Sequence, residues 1–159
     1  PAPATPAPAT RAPAVPERAA AQLRLVTRSG LTTFARGEAI RVVVQPSQDA
    51  YVYCYLRDEN AKLIRFFPNR FAKDPVVPAG SLLELPGKMP FELAMKRAGA
   101  KETIACFATP RDVSAQVPNA LFGGDLEPIA AGSLEQVRAA FLAAAGPALV
   151  HEAIHVQAR

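Results

Sequence analysis

Near its C-terminus the sequence reads His151-Glu152-Ala153-Ile154-His155. On a helix this H-E-x-x-H spacing sets two imidazoles one turn apart, with the glutamate as general base over a zinc-bound water. The surroundings favour another shape. Gly146-Pro147 ends a helical stretch, and the residues after it alternate with period two. The expectation is a strand with both histidines on its outer face and no metal. A zinc metallohydrolase using His151, Glu152 and His155, completed by an upstream ligand, is the alternative. Cys54 and Cys106 form a second pair. Each sits at an inward position of a strand-like run, Cys54 with Val52 and Leu56, Cys106 with Ile104 and Ala108. They are disulfide candidates if the protein meets an oxidising compartment, and the closed loop is then worth about 4 kcal/mol in the chain-entropy model. Two buried free thiols are the other reading.

Tyr51, Tyr53 and Tyr55 alternate in one run and share a face. That face is either an aromatic strip for a peptide or glycan partner, or a surface packed beneath the C-terminal helix. Arg65, Arg70 and Lys73 lie around the Pro68-Asn69 turn. They suit a basic loop contact with anionic lipid or polysaccharide, against plain solvation of a loop. Asp125 and Glu127 are too few for a calcium loop, and no Walker, Rossmann or G-x-S-x-G pattern occurs. No catalytic residue and no cofactor are assigned.

These residues need elements to hold them. From Gln22 onward the chain breaks into short alternating runs punctuated by turn residues. Strands are expected at 23–28, 38–45, 50–57, 61–67, 81–85, 91–95 and 102–109. The runs at 50–57 and 61–67 are separated by Asp58-Glu59-Asn60, a hairpin spacing. Residues 113–128 read as irregular. A helix follows over about 133–145, with Ser133 as its cap, Gln136 completing a capping-box pattern, and Leu134, Val137, Phe141 and Ala144 on one face. A final strand at about 149–158 returns to the sheet. The fold class is mainly β: an immunoglobulin-like antiparallel sandwich with one C-terminal helix and a returning last strand.

The composition agrees. Half of the 159 residues are apolar and a fifth are charged, too apolar for a disordered chain. No apolar run reaches the ~20 residues that span a bilayer. A net charge of +4 without a Lys/Arg cluster or any Trp argues against nucleic acid. Residues 1–21 differ: PAPATPAPATRAPAVP opens a Pro/Ala-rich stretch that reads as a polyproline tether ahead of a domain at 22–159. The tether implies an upstream signal, lipid anchor or domain. It is expected to run extended along a protein surface, the tyrosine strip or another subunit, because such segments dock on aromatic grooves.

The segments LRLVTRSGLTTFARGEAIRVVVQ, AYVYCYLRDENAKLIRFFPN, PVVPAGSLLELP, FELAM and KETIACFAT together resemble the bacterial DUF4384 domain over roughly residues 22–110. Phe34-Ala35-Arg36-Gly37-Glu38, Phe66-Phe67-Pro68-Asn69 and Ala79-Gly80 carry the likeness. Ala61 stands where that family usually has glycine. The resemblance implies an immunoglobulin-like sandwich and an accessory interaction role beside envelope components, with no catalytic residues to carry over. The expected function is therefore a non-catalytic, exported docking module of a bacterial cell-envelope or secretion-related assembly. Its partners are other envelope proteins or upstream domains of the same chain. It is expected to be tethered rather than membrane-spanning, and periplasmic or envelope-located. A glycan-binding module using Tyr51, Tyr53 and Tyr55 is a further alternative.

Overall fold

Alternating burial forces most of these runs into strands, because one side of each must leave water. The computed structural model describes residues 2–5, 20–129 and 132–159. Ten strands run in chain order: β1 Leu23–Thr27, β2 Thr33–Phe34, β3 Val42–Pro46, β4 Ala50–Arg57, β5 Leu63–Phe67, β6 Val76–Val77, β7 Leu83–Leu85, β8 Lys101–Thr109, β9 Pro128–Ile129 and β10 Val150–Ala158. Two helices, α1 Asn119–Phe122 and α2 Leu134–Ala145, lie between β8 and β10.

The strands form two sheets. The smaller has the order β1-β3-β7, and the larger β2-β10-β8-β4-β5-β9 with β6 alongside β4. The crossing of the first strands is immunoglobulin-like: β1 pairs antiparallel with β3, then the chain changes sheet and β2 pairs parallel with the last strand, β10. Between the sheets lie Leu23, Leu25, Val42, Val44 and Leu85 from one side and Val52, Cys54, Leu56, Ile104, Cys106 and Val156 from the other. The outer face of the larger sheet is also covered. Val137 and Phe141 of α2, with Val113 and Val117, bury Tyr53, Tyr55, Leu63, Ala105 and Phe107. The molecule is thus sheet on sheet, with a helix as third layer.

α2 forms where its capping signal stands. Ser133 Oγ accepts the Gln136 N–H at 3.2 Å, and the left-handed Gly146 ends the helix. The final strand covers both histidines, as its alternation requires. Phe91–Met95 is a correction: it is not a strand and only Leu93 bridges to Ile40. Leu93 and Met95 are nevertheless buried, so burial alternates without a ladder. The stretch 113–128 is less irregular than expected, holding α1 and the start of β9. The tether lies outside the described residues except for Ala2–Thr5, Ala20 and Ala21. So does its extended path.

The turn between β4 and β5 shows why glycine suits position 61. Ala61 has φ of 60°, a left-handed backbone, with its N–H bonded to the Asp58 carbonyl. A Cβ there costs about 1–2 kcal/mol, partly offset by the greater unfolded-state freedom of glycine. Ala61→Gly is expected to raise stability by about 0.5–1 kcal/mol, read as a higher urea midpoint with an unchanged slope.

Candidate functional site

The polar side chains gather in a cleft of about 350 Å³ where β4, β5 and the loops after β5 and β8 meet. Arg65 of β5 is at its floor, 8% exposed. Its Nε donates to the Phe122 carbonyl at 3.1 Å, Nη1 to Pro68 at 2.6 Å and Nη2 to Gly123 at 3.1 Å. The guanidinium carbon lies 4.1 Å from the centre of the Phe122 ring. Burial depresses its affinity for a proton, and the hydroxyl of Tyr55 and the carboxylate of Asp125 oppose that. One side chain therefore ties the Pro68 turn to the end of α1.

The walls are similarly self-satisfied. Arg70 donates to Asp125 Oδ2 from its backbone at 2.7 Å and from Nε at 3.1 Å. That backbone bond, followed by the Arg70 guanidinium, holds the Asp125 carboxyl below its usual range. Tyr53 is fully buried except toward Asp112, whose Oδ1 accepts its hydroxyl at 2.8 Å and the Ser114 N–H at 2.9 Å. Burial first, then the Asp112 carboxylate, pushes the Tyr53 phenol well above its ordinary value, so it stays protonated. Asn69 closes the turn by donating to Phe66 O at 2.8 Å and accepting the N–H of Phe71 and Ala72. Lys73 lines the mouth and is exposed, and Phe71 stands out beside it at 49% exposure.

The sequence-derived candidates are redistributed. Arg65, Arg70 and Lys73 do share one cleft, but Arg65 is no loop charge: it lies inside β5 and its donors face carbonyls. Tyr53 and Tyr55 do not form an exposed strip. They lie under α2, with Tyr53 5.1 Å and Tyr55 6.2 Å from the Phe141 ring centre, and only Tyr51 stays half-buried. At Tyr53 and Tyr55 that face meets α2 rather than solvent. Cys54 and Cys106 are directly opposite on β4 and β8 and joined as a disulfide, Cα atoms 4.1 Å apart. His151 and His155 project from the exposed side of β10, four residues apart and so about 13 Å along the strand, too far to share one zinc. Among the described residues no three His, Cys, Asp or Glu side chains converge as ligands. Sequence reasoning missed Asp112 and weighed Asp125 only as a calcium ligand, not as the partner of Arg70. The Asp112-x-Ser114 spacing is an Asx-turn signal, but nothing local announces that Tyr53 reaches it.

A second polar group occupies the far end of the larger sheet. Glu102 points inward beside Glu59, 4% exposed, and among the described residues accepts the Glu59 N–H alone, at 3.0 Å. Burial, with the nearby Asp58 and Glu59 charges, pushes it up to about 7 against that one hydrogen bond. On the outer face next to it, Thr103 Oγ1 lies 3.0 Å from His155 Nδ1 and accepts from Arg57 at 3.4 Å.

Arg65→Lys keeps the charge but loses the planar three-carbonyl hold, and is expected to cost about 1–3 kcal/mol in urea unfolding. Arg70→Ala, which breaks an exposed pair, is expected to cost under about 1 kcal/mol. For Glu102, the folded carboxyl keeps between pH 4.5 and about 7 a proton that the unfolded one releases. Stability is therefore expected to fall as pH rises through that window and to level off above it. Glu102→Gln should flatten that slope and stabilise at pH 8 by about 1–3 kcal/mol, measured by denaturation across the pH series.

Against known proteins, the family model described as Domain of unknown function (DUF4384) matches residues 33–112, half of the chain. No curated protein and no solved structure matches.

Proposed function

Since the chain belongs to the DUF4384 family, whose description assigns no activity, its own geometry has to supply the reading, and we propose that it is a non-catalytic protein-docking module, exported and held in the bacterial cell envelope. The observation that carries this is the Cys54–Cys106 bridge in the middle of the core. Disulfides of this kind persist in oxidising compartments. The cleft supports docking rather than turnover. Arg70 and Asp125 form a fixed pair, Asp112 holds the Tyr53 hydroxyl and carbonyls take the Arg65 donors, so the cleft presents a set relief with Lys73 at its mouth and the exposed Phe71 beside it. A rigid relief of this sort is what a partner can recognise without ordering it first.

The test uses the native gene product in its own cells. It is expected in the envelope fraction, with both cysteines resistant to alkylation until reduced. A photo-crosslinking residue replacing Phe71 should join one discrete envelope protein. A cytoplasmic protein whose two thiols alkylate without reductant would overturn the reading.

A further inference from the structure

The hydrogen-bonding phase of β10 is fixed by its two neighbours. It pairs antiparallel with β8 without interruption from Val150 to Gln157. The Ala158 N–H goes to Ala100 on the β8 side, while the N–H groups of Gln157 and Arg159 go to Thr32 and Phe34 on the β2 side. Counting back by twos, the main-chain groups of His151, Ala153 and His155 face away from β8. Beyond Gln157 and Ala158, β2 offers nothing to that edge. β1 flanks β10 across the sandwich corner but belongs to the other sheet. Among the described residues, His151–His155 is thus an open strand edge about 16 Å long. His151, Glu152, Ala153 and His155 are all exposed.

Open edges are normally blunted by proline, lysine or a bulge. β9 begins with Pro128 at the opposite end of this sheet. β10 has no proline, no lysine and no register shift. Its one guard is Glu152, which lies on the inward face between the half-buried Val150 and Ile154 yet stays in water. A carboxylate there repels a purely apolar strand and selects one that brings a cation. A second copy of this chain does not. The inward positions of β10 are Val150, Glu152, Ile154, Val156 and Ala158, so no symmetric register supplies a cation. Beside Val150 the edge opens into an apolar hollow of about 520 Å³ lined by Ala50, Ala108, Pro147 and Leu149.

We propose that the His151–His155 edge takes up an extended segment of a partner polypeptide by strand addition, the segment setting a Lys or Arg beside Glu152 and apolar residues beside Val150 and Ile154. This rests on the docking reading and names the partner's chemistry. Main-chain bonds supply attachment, and the alternating side chains supply choice.

The probes are two capped heptapeptides, TVTKTVT and TVTETVT, titrated into the intact chain by fluorescence anisotropy and by residue-resolved amide exchange. The lysine peptide is expected to bind at least tenfold more tightly and to slow exchange at His151, Ala153 and His155. Glu152→Lys should reverse the preference. Ala153→Pro, which removes one outward N–H and no β8 bond, should weaken binding at least tenfold with the thermal midpoint nearly unchanged. If that variant fails to fold, the Glu152→Lys reversal decides alone. Equal affinity for the two peptides, or protection elsewhere than these three amides, overturns the proposal. So does a concentration-dependent dimer of the peptide-free chain that Ala153→Pro abolishes. A Phe71 crosslink to an envelope protein with no edge protection would remove the edge and leave the docking reading standing, whereas reduced, cytoplasmic protein would remove that reading.

Discussion

The pairing of β4 with β8 is the constraint on which the rest depends. A slip of one residue between two strands exchanges their faces, and here both faces are buried. Cys54 opposite Cys106 permits one register. In that register Val52 and Leu56 meet Ile104 and Ala108 inside the sandwich, while Tyr53 and Tyr55 meet Phe107 and Ala105 beneath α2. Phe107 and Phe141 then stack at 4.9 Å with planes 1° apart, which fixes α2 on the sheet. Because α2 lies there, the Tyr53 hydroxyl can escape only toward Asp112.

The cleft is a by-product of that arrangement. The bulge between Cys54 and Tyr55 lets β5 pair with the second half of β4 and β6 with the first, so the loop between them must turn outward. Asn69 holds that loop from within, and Arg65 and Asp125 bind it to the segment after α1. Buried donors without partners are costly, and among the described residues no buried side-chain N or O lacks one.

How much of this could be read from residues alone depends on whether the signal was local. Alternation announced β1, β4, β8 and β10, and the inward positions of Cys54 and Cys106 announced their neighbourhood, because period-two burial is written directly in side-chain types. The Ser133 cap announced α2. Phe91–Met95 carries the same alternation without being a strand, since burial pattern reports what leaves water and says nothing of hydrogen bonds. The fate of the tyrosines was open for another reason: what covers Tyr53 and Tyr55 is Phe141, more than eighty residues further on. Arg65 was misread as a loop charge because a guanidinium fits inside a strand only when three carbonyls converge on it, and those come from Pro68, Phe122 and Gly123.

The parallel bridge from Thr33 and Phe34 to Gln157 and Ala158 has a kinetic meaning. It joins nearly the whole described domain end to end, and such long-range pairing is reached late because loop closure must come first. A chain emerging in sequence order holds Phe34 without its partner, and β8 with one side unpaired, until β10 has been made. The sandwich closes last at β10, the final strand of the described domain. A domain built this way remains unfinished, and threadable, until its last strand has emerged.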